Sequence, residues 1–301
     1  MSTMGQLCNS QSSFYDTEIT MPEFRASQLV DDLEENLFSI LEKLASQVNT
    51  EDLPLIDLSS GSPDQPTPPE VIASVQAAIT DHRNHGYPSF WGKPQVRQAI
   101  ADFYLHHYGV TLDPDSEVAV FQGSHIGVGG IPRAVVNAGQ YIISTDPCYP
   151  IYRSAARQSQ AHFYGLPVSE ESQFLPDFAD VPDEVARHAG LVILNYPHNP
   201  TGALATPELF ADALQFAKRH NVPVLHDFAY AAIGSGQEDV PLSLFSQPDA
   251  NEWGLEPYTF SPTFNLAGWP FGFSGGHPSA LQALQELHTP RYRAGIVSLT
   301  G

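Results

Sequence analysis

A short segment at residues 195–202, Asn-Tyr-Pro-His-Asn-Pro-Thr-Gly, carries side chains that are suited to ligand binding. The apolar run from Leu191 to Leu194 precedes it and predicts a buried strand. The prolines and the glycine predict a tight bend where that strand ends. Asn199 would then lie at the carboxyl end of a strand, where open α/β sheets bind their ligands. Because an amide donates and accepts hydrogen bonds at once, Asn199 is a candidate binding residue.

A second strand end carries a carboxylate and a phenol. The run from Val222 to Leu225 predicts a short strand, and the sequence His-Asp-Phe-Ala-Tyr follows it at residues 226–230. Asp227 and Tyr230 are therefore candidates for the same edge of the sheet as Asn199. An aspartate that caps a loop is the alternative for Asp227.

A third strand end is rich in small residues. The strand predicted from Glu117 to Phe121 leads into Gln-Gly-Ser-His-Ile-Gly and then into a helix. Such a turn points backbone N–H groups at an anion, and the helix dipole favours the negative charge. Ser124 and His125 are the candidate contacts, although any strand-to-helix turn can carry small residues. A fourth strand, predicted at residues 141–145, leads to Tyr149 at its carboxyl end.

These side chains need a sheet that brings strand ends to one edge. Strands alternate with helices from about residue 117 onward, which predicts an α/β fold with a mainly parallel sheet between helices. The last helix is predicted from Pro278 to about His288.

The first hundred residues predict other elements. Residues 1–25 form a polar arm, and helical spacing of apolar residues predicts one amphipathic helix from Ser27 to Val48. A short strand is predicted at residues 55–58. Thr67 and Glu70 have the spacing of a capping box, with Pro68 at the first helical position.

Composition limits the class of protein. The chain has 301 residues, of which 42% are apolar, so we expect a globular protein with a sizeable core. It has 34 acidic and 13 basic residues and a net charge of −21. A surface with this charge repels nucleic acid and anionic membranes, so we expect neither as a partner.

Two cysteines, Cys8 and Cys148, have no metal-binding or redox spacing and are predicted to be free thiols in a reducing compartment. No signal peptide or apolar run of about 18 residues is recognisable in the sequence. We therefore expect a cytoplasmic protein.

The full Asn-x-Pro-x-Asn-Pro-Thr-Gly string resembles the strand-end turn of class I/II aminotransferases, which are pyridoxal phosphate enzymes of fold type I. Together with the sequence His-Asp-Phe-Ala-Tyr at residues 226–230, this string is similar to the motifs of the family branch that acts on alanine, aspartate or diaminopimelate. The resemblance implies an arm and helix at residues 1–50, an aminotransferase-like large domain at 51–288 and a short tail at 289–301. The family's small domain would then be truncated.

The residues that the resemblance assigns to pyridoxal 5′-phosphate are Ser124, His125, Tyr149, Asn199, Asp227, Tyr230, Thr259 and Tyr87. It places Asp227 at the ring nitrogen, Tyr230 at the 3′-oxygen and Tyr149 against the ring face. Tyr87 would reach the phosphate of a neighbouring subunit, which implies a homodimer. Gly61 would lie against the substrate, although a plain loop glycine is an equal alternative, and Tyr87 alone would be interpreted as a half-buried loop aromatic.

The resemblance breaks at residues 259–273, Thr-Phe-Ser-Pro-Thr-Phe-Asn-Leu-Ala-Gly-Trp-Pro-Phe-Gly-Phe. Pro262 stands where the family has the lysine that bonds to the cofactor, and Pro270 stands where it has a phosphate-binding arginine. Proline supplies neither an amine side chain nor a backbone N–H. The three lysines of the chain, Lys43, Lys93 and Lys218, lie elsewhere in the aligned order.

Three functions therefore stay open from the sequence. The first is transamination between an amino acid and a 2-oxo acid, which the resemblance implies and Pro262 opposes. The second is a non-catalytic relative, or pseudoenzyme. The third is a protein that holds pyridoxal or pyridoxamine phosphate without a covalent bond.

Overall fold

The computed structural model describes residues 24–31, 35–59, 61–87, 89–233 and 241–288. Two compact units divide the chain, residues 1–32 and residues 33–301. In the first unit, one short helix is described, α1 (Gln28–Asp31). Most of the predicted N-terminal arm, Cys8 and the predicted tail lie outside the described residues.

The second unit alternates strands and helices as the sequence predicts. Its described helices are α2 (Leu37–Val48), α3 (Pro69–Thr80), α4 (Pro94–Tyr108), α5 (Ser124–Val135), α6 (Ile151–Gln158), α7 (Asp183–Arg187), α8 (Pro207–His220) and α9 (Pro278–His288). Its described strands are β1 (Val118–Phe121), β2 (Tyr141–Asp146), β3 (His162–Pro167), β4 (Ala189–Leu194), β5 (Val224–His226), β6 (Gly254–Thr259) and β7 (Gly272–Gly276). Short 3₁₀ helices lie at His82–Asn84, Phe178–Asp180, Leu244–Ser246 and Ala250–Glu252.

These strands form one sheet in the order β1-β7-β6-β5-β4-β2-β3. Strand β7 runs antiparallel to both of its neighbours, and the other neighbouring pairs are parallel. The predicted mainly parallel α/β fold is therefore confirmed. Because β1 to β6 share one direction, their carboxyl ends lie at one edge of the sheet.

Helices cover both faces of the sheet, as the packing of strand β4 shows. Its apolar residues alternate between two cores. Val192 and Leu194 join a cluster with α4 and α8, and Leu191 and Ile193 join a cluster with α5, α6 and α9. A strand without a polar face is typical of a parallel sheet between two helical layers.

The predicted single helix from Ser27 to Val48 is wrong. Helix α2 has its own start, because the side chain of Asn36 accepts hydrogen bonds from the N–H groups of Phe38 and Ser39 at 2.9 and 3.3 Å. No residue of α2 is fully buried.

Two smaller predictions are also wrong. Residues 55–58 are not a strand, and Ile56 and Leu58 are 84% and 89% exposed rather than paired with a sheet edge. Thr67 does not cap α3, because its hydroxyl donates to the carbonyl oxygen of Asn265 at 2.8 Å and the helix begins at Pro69. Across the described residues, no helix combines the length and the hydropathy that a membrane span requires.

The reversed strand β7 generates a prediction about stability. Gly276 has φ +139°, and a Cβ there would lie 2.4 Å from the carbonyl oxygen of Gly254. Gly276→Ala should therefore lower the free energy of unfolding by roughly 3 kcal/mol, as measured by urea denaturation. The control is Gly129→Ala in α5, where a Cβ meets nothing within 4 Å and alanine favours the helix. Equal stabilities of the two variants would contradict this packing.

Candidate functional site

A cavity lies at the carboxyl edge of the sheet, where β1, β2, β4 and β5 end. Its described lining residues are Ser124, His125, Val128, Tyr149, Ile151, Asn195, Asn199, Asp227, Ala229 and Tyr230. The cavity therefore brings together six of the residues predicted from the sequence. Parallel strands cause this convergence, because each candidate follows the carboxyl end of a strand.

Asp227 follows β5 and is 5% exposed. Its Oδ2 accepts a hydrogen bond from the hydroxyl of Tyr152 at 2.9 Å, whereas its Oδ1 is buried and has no hydrogen-bond partner among the described residues. Burial raises the pKa of the Asp227 carboxyl to about 6, and the Tyr152 hydrogen bond and the charge of His226 oppose that shift. A buried carboxylate oxygen without a donor, on a cavity wall, fits a ligand that brings an N–H group or a positive charge.

The side chain of Asn195 joins two strand ends. Its Nδ2 donates to the carbonyl oxygen of Asp227 at 2.7 Å, and its Oδ1 accepts from the backbone N–H of Asn199 at 2.8 Å. Asn199 in turn donates from Nδ2 to the hydroxyl of Tyr230 at 3.2 Å. Burial raises the pKa of Tyr230, so this hydroxyl stays neutral at physiological pH. Asn195 thus fixes the carboxylate, the amide and the phenol relative to one another.

The start of helix α5 forms another wall. Gly123 precedes it with φ +93°, and a Cβ there would lie 2.9 Å from Nδ1 of His125. Ser124 is buried and His125 is exposed. The first turn of a helix has N–H groups without intrahelical partners and a partial positive charge, so this wall suits an anion such as a phosphate.

The ring of Tyr149 forms an aromatic wall. It lies 5.8 Å from the ring of Tyr152 in an edge-on arrangement and 6.5 Å from that of Phe38, in α2. Burial raises the pKa of Tyr149 as well. A planar ligand would contact a neutral phenol ring here.

A wider cleft adjoins the cavity. Of the predicted site residues outside the cavity, all except Tyr87 line this cleft. Gly61, Thr259, Pro262 and Pro270 line it together with several cavity residues. Tyr87 is 86% exposed and lies outside the described lining of both spaces, so within this chain the structure does not bring it to the site.

Thr259 has hydrogen bonds to the main chain around it. Its hydroxyl is 3.1 Å from the carbonyl oxygen of Phe271, to which it donates, and it accepts from the N–H of Ser261 at 3.2 Å. A phosphate contact by this hydroxyl, as the resemblance implies, requires that it give up the bond to Phe271.

The three lysines, all within the described residues, lie outside the lining of the cavity and the cleft. Lys43 pairs with Glu35, Lys93 donates to Asn84 and Lys218 pairs with Asp249 at 3.2 Å. Pro262 lines the cleft, and the described lining of the cavity and the cleft contains no lysine.

Two residues with a clear role in this geometry had no assigned role in the sequence. Tyr152 lies in the first turn of α6, three residues after Tyr149, which precedes the helix. Asn195 opens the string around Asn199, but its contact with Asp227 depends on which strands become neighbours.

Comparison with known proteins agrees with the geometry. The profile of the family described as "Aminotransferase class I and II" matches residues 54–298. The L-glutamine--4-(methylsulfanyl)-2-oxobutanoate aminotransferase of Bacillus subtilis is 38% identical over 87% of this chain and 66% of its own length. The LL-diaminopimelate aminotransferase of Aquifex aeolicus is 36% identical over 84% of this chain and 65% of its own length.

Solved structures have the same fold. The substrate-bound structure of BacF from Bacillus subtilis superimposes with a TM-score of 0.85 at 36% identity, over 93% of this chain and 70% of that one. The chain spans about two thirds of the length of the curated relatives.

The burial of Asp227 predicts how stability depends on pH. At Asp227 the folded protein binds more protons than the unfolded chain between about pH 4 and pH 6, so the contribution of this carboxyl to stability falls as pH rises through that window. Asp227→Asn should remove this dependence and raise the free energy of unfolding at pH 7 by on the order of 2 kcal/mol. Urea denaturation from pH 4 to pH 8 measures it.

The control is Asp212→Asn, at an exposed position of α8, which should change little at any pH. A less stable Asp227→Asn protein at pH 7 would contradict the conclusion that this carboxylate is destabilising for the folded state.

Proposed function

The chain belongs to the class I and II aminotransferases, a family that depends on pyridoxal 5′-phosphate, and on this basis we propose that it binds pyridoxal or pyridoxamine 5′-phosphate without a covalent bond. The observation that carries the proposal is Oδ1 of Asp227, a buried carboxylate oxygen with no donor in the described part of the chain, on a residue that lines the cavity. A protonated pyridine nitrogen is the donor that it would accept.

The other residues complete the proposed binding mode. Asn199 and Tyr230 would hydrogen-bond the 3′-oxygen of the ring, and Tyr149 would lie against the ring face. Ser124 and the first N–H groups of α5 would hold the phosphate, with His125 as a further donor. When bound, the protonated ring supplies an electron sink. Asp227 would hold the proton at its nitrogen.

Ordinary transamination by this chain lacks a proton-transfer residue. In the family that the chain resembles, a lysine at the position of Pro262 bonds to the cofactor and moves the substrate proton. Pro262 has no group for either step, and the lysines of the chain lie outside the cleft. Amino acids and 2-oxo acids, on which such relatives act, are therefore proposed as ligands of this pocket rather than as substrates.

Titration of the purified protein tests the proposal. By calorimetry, pyridoxamine 5′-phosphate should bind with a stoichiometry of about one per chain. Pyridoxal 5′-phosphate should also bind, and borohydride treatment of this complex should leave no cofactor covalently attached to the chain. Heat signals at the level of buffer for both compounds would support the pseudoenzyme alternative. A mass increase of the wild-type chain after reduction would contradict the interpretation of Pro262.

Restoring the missing groups should restore covalent attachment. Pro270→Arg should strengthen pyridoxamine 5′-phosphate binding by roughly ten- to a hundredfold, because it adds a charge-assisted hydrogen bond. Pro262→Lys with Pro270→Arg should give more reduced, cofactor-modified chain than either change alone, since one group positions the ring for the other. Intact-mass measurement after borohydride reduction quantifies this.

Gln282→Lys, on an exposed position of α9, controls for nonspecific reaction of a new amine. Unmodified chain in a folded double variant, at every cofactor concentration, would mean that the pocket has lost ring recognition.

We also propose a homodimer. Tyr87 is highly exposed, and so are the apolar side chains of Leu53, Ile56 and Leu58. An exposed apolar segment of this kind supports an interaction surface, and the resemblance places Tyr87 across such an interface. Sedimentation velocity should give a dimer at micromolar concentration. A monomer over a wide concentration range would contradict it.

A further inference from the structure

A buried acid–base pair lies behind the cavity, where β5 and β6 run side by side. Glu256 and His226 are both 0% exposed, and Nδ1 of His226 is 2.7 Å from Oε2 of Glu256. Neither residue lines the cavity. His226 is nevertheless the direct neighbour of Asp227 in the chain.

The hydrogen bonds of Glu256 fit a carboxylate anion. Its Oε1 accepts from the hydroxyls of Tyr104 at 2.8 Å and Ser243 at 2.7 Å. Its Oε2 accepts from the N–H of Leu244 at 2.7 Å in addition to the contact with His226. An ionised carboxylate accepts at both oxygens and donates nowhere, so it matches all four partners.

The hydrogen bonds of His226 then fit an imidazolium ion. Its Nδ1 faces the Glu256 carboxylate, and its Nε2 is 2.9 Å from the carbonyl oxygen of Tyr196. With Glu256 ionised, both partners are acceptors, and both ring nitrogens then carry a proton. The rings of Phe210 and Phe228 pack 4.8 Å from the imidazole, which keeps water away from the pair.

The pair is connected to the site in two ways. The Tyr196 carbonyl that His226 binds belongs to the turn that carries Asn199. The positive charge of His226 also lowers the pKa of Asp227 against the effect of burial. The other titratable groups that face Asp227 are the phenols of Tyr149, Tyr152 and Tyr230. Burial raises the pKa of each of them, so they are neutral.

We propose that His226 is a positioning residue: held as an imidazolium ion by Glu256 and the Tyr196 carbonyl, it keeps Asp227 ionised and fixes the turn that presents Asn199. The protonation of His226 is a property of the protein alone. Its effect on ring binding rests on the function proposed above.

The first arm of the test uses the wild-type protein without ligand. In ¹⁵N NMR spectra of histidine-labelled protein, with the His226 signals assigned by comparison with His226→Gln, both ring nitrogens should remain protonated at pH 8, where an ordinary histidine is neutral. One protonated and one unprotonated nitrogen at that pH would overturn the proposal.

The second arm measures pyridoxamine 5′-phosphate binding from pH 5 to pH 8. Wild-type affinity should fall below about pH 6, as Asp227 takes up a proton. The variant His226→Gln keeps a donor for the Tyr196 carbonyl and removes the charge. In this variant, the pH at the midpoint of the loss of affinity should rise by about one unit. Asp227→Asn is the control for titration of the ligand itself.

A purely structural role for His226 would weaken binding equally at every pH, and an unchanged midpoint in a folded His226→Gln protein would overturn the proposal. If that variant does not fold, the double variant His226→Gln with Glu256→Gln, which removes both charges, is measured instead. A raised midpoint in it supports the proposal, and an unchanged midpoint overturns it. Absence of wild-type binding at all pH values would contradict the proposed function and would leave the NMR arm to decide on His226.

Discussion

The buried carboxylate of Asp227 is the group on which the rest of this site depends. A charge at 5% exposure is costly unless it is paired, and among the residues that the structure describes only one of its oxygens has a donor. Tyr152 satisfies Oδ2, Asn195 holds the backbone of the residue, and His226 supplies a nearby positive charge. The residue also lines the cavity. An arrangement that destabilises the protein and points at a cavity is typical of a binding group.

Strand ends could be predicted from the sequence, and so could the residues that meet there. The apolar run of β4 and the turn after it placed Asn199, and the same argument placed Asp227 after β5, because parallel strands bring their carboxyl ends to one edge. Pro262 and Pro270 are also visible in the sequence, since the string around them resembles the family's motif at both positions. Both prolines lie in the cleft of the structure.

Contacts between distant elements could not be predicted in this way. The hydroxyl of Tyr152, in α6, reaches Asp227, and Glu256, in β6, reaches His226, only because the tertiary fold brings these elements together. Local signals also failed where tertiary contacts compete with them. Thr67 has the spacing of a cap, yet its hydroxyl bonds to Asn265, which is far away in sequence. Residues 55–58 have strand-like composition, but a strand needs a partner edge.

The most direct test compares two ligands on two proteins by calorimetry. The ligands are pyridoxamine 5′-phosphate and its 1-deaza analogue, in which C–H replaces the ring nitrogen. The proteins are the wild type and Asp227→Asn. If Oδ1 of Asp227 recognises the protonated nitrogen, the wild type should bind the deaza analogue at least about tenfold more weakly, and the difference should largely disappear in Asp227→Asn. Equal affinities of the wild type for the two ligands would contradict ring recognition by Asp227.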